Sequence, residues 1–134
     1  MTVVVLDASV VAKWFRSTNE RHLAEAGRLR TDFGNGEVGV IAPSLLLLEL
    51  INIAGRKWHW ARAELEALAH EIGELGFEFV EPDLRSVARL TAAGLTAYDA
   101  AYVAIAEDHE LQFVTDDEQL AAAVPHVAIA LVDR

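Results

Sequence analysis

Residues 2–15 read TVVVLDASVVAKWF, and the apolar run Val3, Val4, Val5, Leu6 stops abruptly on a carboxylate, Asp7. A β-branched run this short and this tightly bounded predicts a strand buried on both faces, as in a parallel sheet. Beyond Asp7, Val10, Val11, Trp14 and Phe15 recur at helical spacing, which places the acid between the end of a strand and the start of a helix. In open α/β sheets that edge is where ligands bind. A plainer reading competes, in which Asp7, or Ser9 two residues later, only caps the helix. The residues of this stretch leave both open.

The alternation continues along the chain. Residues 20–33 predict a helix with Leu23, Ala26 and Leu29 on one face, and VGVIA from Val38 predicts a second strand. Pro43 and Ser44 supply a turn and cap for LLLLELINIAGRK, a helix ending near Gly55. Residues 61–75 predict an amphipathic helix closed by Gly76, FEFVEP a strand, and the stretch from Asp83 to Ala93 another helix. AYDAAYVAIAEDHE follows as an alanine-rich helix, QFVT as a strand, DDEQLAAA as a short helix and VAIALV as a last buried strand. Strands interleaved with helices imply an α/β fold, a three-layer α/β/α sandwich with a central, mainly parallel sheet. With 134 residues, 53% of them hydrophobic, and no repeat or linker, one domain over 1–134 is expected.

Composition excludes several chemistries. There is no cysteine, so disulfides, thiolate metal sites and cysteine nucleophiles are absent. No stretch approaches the ~20 apolar residues of a membrane span, and no secretory leader pattern opens the chain, so a cytoplasmic protein with no membrane contact is expected. The five histidines, His22, His59, His70, His109 and His126, lack any ligand-like spacing, and most of them are expected to face solvent. Neither a glycine-rich phosphate loop nor a G-x-S-x-G elbow occurs. A formal net charge of −10 repels polyanions at long range. The acids are then either a solubilising surface or, in part, a site for a divalent cation.

Four acids stand in unexpected places. Glu49 is surrounded by Leu45, Leu46, Leu47, Leu48, Leu50 and Ile51, too far into its helix to cap it, so it is partly buried and needs a partner. Asp99 lies among Ala97, Tyr98, Ala100 and Tyr102, where a helix N-terminal charge is the alternative role. Asp116 and Asp117 follow QFVT and repeat the strand-end position of Asp7, with capping again the simpler explanation for either alone. Taken together, strand-end acids and acids on apolar helices can converge at one end of a parallel sheet. At an effective dielectric of ~20, two carboxylates ~5 Å apart repel by roughly 3 kcal/mol, so a cluster of four must take up protons or hold a cation. Hard oxygen donors favour magnesium or manganese.

The segments LDASVVAKWF, LLLLELINIA, LTAYDAAYVAIAE and FVTDDEQL, in this order and spacing, resemble the PIN-domain ribonucleases, and most closely the VapC-type toxins of type II toxin–antitoxin pairs. The resemblance spans essentially the whole chain. It implies an acidic quartet, catalytic and metal-binding, at Asp7, Glu49, Asp99 and Asp117, the last matching the aspartate of a T-x-D pattern with Asp116 in its variable middle position. It also implies supporting polar residues at Ser9, Asn52 and Thr115, for which capping is the alternative role. The implied activity is Mg²⁺- or Mn²⁺-dependent hydrolysis of RNA phosphodiester bonds by an activated water. The implied partners are an RNA substrate, a cognate antitoxin and a second copy in a homodimer.

Lys13, Arg16, Arg56 and Lys57 are candidates to meet phosphates at the site mouth, against a plainer role as solvated surface. Trp58 and Trp60 are candidates to stack on bases, against packing in a core or on a protein partner. Rival readings are fewer. A haloacid-dehalogenase phosphatase needs a second aspartate where Ser9 stands, and a phospho-accepting receiver needs a lysine that VTDDEQL lacks. An inactive PIN-like interaction module keeps the same acids and differs only in activity.

Overall fold

The computed structural model describes residues 1–16 and 18–134. Five strands, β1 (Thr2–Leu6), β2 (Val38–Ala42), β3 (Glu78–Phe79), β4 (Gln112–Thr115) and β5 (Ala128–Ala130), form one sheet in the order β3-β2-β1-β4-β5. Every pairing is parallel: Val4 stands opposite Val40 on one side and Gln112 on the other, Ala42 opposite Phe79, and Thr115 opposite Ala130. Val4, Val5 and Leu6 are fully buried, as a central strand covered on both faces must be.

Seven α-helices flank this sheet among the described residues: α1 (Ala8–Val11), α2 (Leu23–Gly34), α3 (Leu45–Asn52), α4 (Arg62–Gly73), α5 (Leu84–Ala92), α6 (Ala97–Asp108) and α7 (Glu118–Ala123). The architecture is the expected α/β/α sandwich. From β1 the chain steps outward to β2 and β3, then returns to lay β4 on the other side of β1. With right-handed crossovers this reversal puts α5–α7 on the face opposite α2–α4. The reversal falls between β1 and β4, and in open α/β sheets ligands bind at the carboxyl ends of the strands at such a point.

Helix α6 explains the alanine-rich segment. Residues Ala100 to Ala106 are all buried, and small side chains let this helix sit close against β1 and β4. The core continues through Tyr102 stacked on Phe113, with ring centroids 5.6 Å apart, and through Trp14, Phe33 and Phe77 in a second aromatic cluster. Among the described residues no helix is long and apolar enough to cross a membrane.

Local departures from the sequence reading have local causes. The helix of residues 20–33 starts at Leu23, because His22 adopts a left-handed backbone (φ 58°). The helix carrying Glu49 is α-helical only to Asn52 and widens into a π turn, Ile53–Lys57, where the Trp58 amide reaches back to the Ile53 carbonyl. Ser44 does not cap it with its side chain; the hydroxyl donates instead to Glu81 (2.6 Å). FEFVEP yields only the two paired residues of β3, and VAIALV only the three of β5, of which Ala128 and Ile129 are half-buried. Both are edge strands, so the expected buried last strand is corrected to an edge. Gly76, at φ 81°, makes the left-handed turn out of α4 that a side chain would strain.

Phe113 is wholly buried between the sheet and α6. Phe113→Ala is expected to lower the unfolding free energy by ~3–5 kcal/mol in urea titrations, the range for a large aromatic removed from a close-packed core.

Candidate active site

The arrangement at the carboxyl ends of β1 and β4 is built around Asp7. Its backbone continues β1, accepting no helix-capping role for the side chain. Instead Asp7 Oδ2 accepts hydrogen bonds from two hydroxyls, Ser9 Oγ (3.0 Å) and Thr115 Oγ1 (2.7 Å). Each hydroxyl in turn accepts from the backbone of the loop after β4: Ser9 Oγ from the Asp116 amide (3.1 Å), Thr115 Oγ1 from the Asp117 amide (3.1 Å). Two parallel relays therefore tie the end of β1 to the end of β4 through one carboxylate oxygen. Capping by Asp7 or Ser9, left open by the sequence, is not what these side chains do.

Glu49 reaches the same region from α3. It is half-buried and its Oε1 accepts a hydrogen bond from the hydroxyl of Tyr102 (2.6 Å), which lies one turn beyond Asp99 on α6. Asp99 sits in the first turn of α6, its amide donating to the capping Thr96 hydroxyl (3.0 Å). Asp117 caps α7, its Oδ1 accepting from the amides of Gln119 (3.0 Å) and Leu120 (3.1 Å).

The charges of these acids are felt by one another. Burial pushes the Asp7 carboxyl up, two hydroxyl donors pull against that, and Asp99 adds repulsion. Burial also raises Glu49, opposed by the Tyr102 bond and reinforced by the charges of Asp7 and Asp99. Burial and the charge of Asp117 raise Asp99. Burial, then the neighbouring Glu49 charge, drives the Tyr102 phenol far above its ordinary value, so it stays a donor. As placed, no three His, Asp or Glu side chains among the described residues stand close enough to grip one ion between them.

Of the adjacent aspartates, Asp117 is the one whose charge reaches Asp99, whereas Asp116 faces a different set. Lys13 Nζ lies 3.2 Å from Asp116 Oδ2 and 3.3 Å from Glu20 Oε1, and His22 Nδ1 lies 3.0 Å from Asp116 Oδ1. Lys57 reaches the other oxygen of Glu20 at 3.5 Å. Lys13 is thus a buried, doubly paired cation and corrects the expectation of a phosphate-facing lysine. His22 likewise is half-buried and engaged, whereas the other four histidines are exposed, two of them with partners of their own, His109 at the Ile105 carbonyl and His126 at Glu107. Trp58 is buried, 5.2 Å from the Trp60 ring and beneath the Arg16 guanidinium, so it packs rather than presenting a free face to bases.

Asn52 is exposed one turn after Glu49 and lines a cleft with it. One residue escaped the sequence reading, and one, Lys13, was read only for a phosphate-facing or solvated role. Tyr102, the donor to Glu49, was signalled only by a phenol inside an otherwise apolar helix. Lys13 was signalled by a cation among Val10, Val11, Ala12 and Trp14, a setting that predicts burial with a counter-ion.

Fold and site define a parallel α/β protein with an acidic site where its strand order reverses. The chain belongs to the PIN-domain family, whose model matches residues 4–124. Among solved structures it is similar to PAE2754 from Pyrobaculum aerophilum, with 24% identity and a TM-score of 0.68 over 98% of this chain and 91% of that one. It is similar also to FitAcB from Neisseria gonorrhoeae, with 16% identity and a TM-score of 0.69 over 98% and 99%. A toxin–antitoxin complex from Klebsiella pneumoniae matches with 17% identity and a TM-score of 0.56 over 96% and 97%. At these identities the likeness establishes the fold. No curated protein matches the chain.

An acid whose folded pKa is raised destabilises the fold increasingly as pH climbs from its unfolded value, about 4, through the raised one. Asp99→Asn removes that penalty. In EDTA the variant is expected to resist more urea than the parent at about pH 7.5, with the difference closing as pH falls towards about 4. A variant no more stable than the parent near neutral pH would show that Asp99 is under no charge stress.

Proposed function

We propose that this chain is a metal-dependent endoribonuclease, the VapC-type toxin of a type II toxin–antitoxin pair, built as one PIN domain over residues 1–134 and acting in the cytoplasm. The observation that carries this reading is the placement of Asp7 at the carboxyl end of a central parallel strand, with Ser9 and Thr115 on one of its oxygens, and with Glu49 and Asp99 near enough for their charges to be felt there and Asp117 near enough to Asp99. Burying like charges together is unfavourable unless a cation or protons offset them, and an all-oxygen donor set suits Mg²⁺ or Mn²⁺. Bound there, the ion would lower the pKa of the attacking water and neutralise charge developing on the phosphate.

The chain's own residues do the positioning. Ser9 and Thr115 fix one oxygen of Asp7 and so orient the carboxylate for its ligand. Tyr102 holds Glu49 in the same way from α6. Asp117 is held at the start of α7 by two amides on one oxygen, which leaves its second oxygen for the site. The hydroxyls of Ser9, Thr115 and Tyr102 all donate to carboxylates, and among the described residues no histidine hydrogen-bonds to them to act as their base, which fits attack by water. Exposed Arg56, on the π turn after α3, is available for phosphate, while Lys57 divides its charge with Glu20.

Support for a protein antitoxin comes from a different surface. Two adjoining concavities of about 360 and 520 Å³ share Trp14, Phe15, Arg30 and Glu71, the first lined also by Trp60, Leu68 and Glu64 and the second by Phe33, Leu75, His70 and Glu74. That pattern suits an amphipathic, basic helix. Association of the toxin as a homodimer belongs to the same reading.

Purified protein is expected to cleave a mixed RNA substrate with Mg²⁺ or Mn²⁺, to stop in EDTA, and to lose at least about 100-fold in rate as Asp99→Asn. Cleavage indifferent to EDTA and to this substitution would sink the mechanism. The spread of the acids favours one second reading, an inactive PIN-like interaction module. A folded, Mn²⁺-binding protein that cuts no RNA would select it.

A further inference from the structure

Leu48 and Tyr98 are 69% and 64% exposed, although each immediately precedes one of the site acids, Glu49 and Asp99. Single exposed apolar residues need no explanation, but these two line one cleft of about 400 Å³ together with Leu45, Asn52 and Glu49 itself. The cleft is therefore continuous with the carboxylate site through a shared residue. Its lining is chemically mixed. Tyr98 offers an aromatic face, Leu45 and Leu48 an apolar wall, and the Asn52 amide both a donor and an acceptor.

We propose that this cleft, between α3 and α6, receives a base of single-stranded RNA, with the base stacked on Tyr98 and the adjoining phosphate lying where a cation bound by the carboxylates would meet it. The inference rests on the ribonuclease reading and deepens it by naming where the strand is gripped. A nucleobase has apolar faces and a hydrogen-bonding edge, which is the combination the lining presents. A protein segment is better suited by the larger, acid-lined groove around Trp14 and Phe15. Stacking also resolves an electrostatic difficulty: with a net charge of −10, affinity for RNA has to draw on contacts other than phosphate pairing. Because every base has a π face, Tyr98 confers grip more than sequence choice, and the Asn52 amide is placed to bias that choice.

The test measures anisotropy of a short fluorescein-labelled single-stranded RNA of mixed sequence, titrated with full-length protein in Ca²⁺. Tyr98→Ala and Tyr98→Leu are expected to weaken binding by about 5- to 150-fold, the range of one base–aromatic stack. Tyr98→Phe is expected to stay within about 2-fold of the parent, and so is Leu84→Ala, which removes an exposed leucine elsewhere. Mn²⁺ affinity by calorimetry is expected to be unchanged in all of them, which separates lost stacking from a damaged carboxylate site. Equal RNA binding by Tyr98→Ala and the parent would overturn the inference while leaving the ribonuclease reading to stand on its cleavage assay. Conversion of a parent dimer to monomer by Tyr98→Ala, seen by sedimentation, would overturn it in favour of a contact between copies. A parent protein that binds no RNA would overturn the inference, and the ribonuclease reading would again be decided by its cleavage assay.

Discussion

A single carboxylate oxygen, Asp7 Oδ2, joins the two central strands at their carboxyl ends. Ser9 and Thr115 both donate to it and both accept from the backbone of the β4–α7 loop. Such chains of hydrogen bonds strengthen one another in a low-dielectric setting, and they leave the hydroxyls no freedom to rotate. The cost is an acid held out of water with other acids nearby. The remaining architecture serves this arrangement: β1 is central, so Asp7 emerges from the most rigid part of the sheet, and the strand order reverses beside it.

Around that centre the protein separates two kinds of negative charge. Asp99 sets its charge against Asp7 and Glu49, and Asp117 against Asp99, whereas Asp116 and Glu20 are answered by Lys13, His22 and Lys57. The adjacent residues Asp116 and Asp117 fall on opposite sides of this division. Lys13 draws Asp116 towards the loop before α2, and the same backbone leaves Asp117 at the head of α7 facing Asp99. A buried ion pair is weak evidence for stability, but it is an effective way to fix which of two identical neighbours faces a site.

Much of this was legible in the sequence, for identifiable reasons. The run from Val3 to Leu6 announced a central parallel strand because nothing polar interrupts it, and Val38–Ala42 and Gln112–Thr115 stood out between turn residues. Glu49 was conspicuous because its helix is apolar in every direction, and the partner it needed proved to be Tyr102. What was not legible is what depends on contacts distant in sequence. The distance from Lys13 to Asp116 spans the chain, Ser44 found Glu81 instead of its own helix, and the π turn after Asn52 has no signature in local propensity. The edge strands were overestimated because FEFVEP and VAIALV carry strand-like residues beyond the few that find a neighbour to pair with.

Those truncated edges have a consequence for how the molecule meets others of its kind. An exposed, long, flat edge is a template on which a stray strand can lengthen a sheet, the usual route to uncontrolled aggregation. Here one margin offers two residues, with Glu78 exposed and Pro82 four residues beyond it, and the other offers three before the backbone coils into a 3₁₀ turn at Leu131. Neither gives an incoming strand a purchase. The sheet's growth is ended at both sides, and contacts with other chains are left to the helical faces.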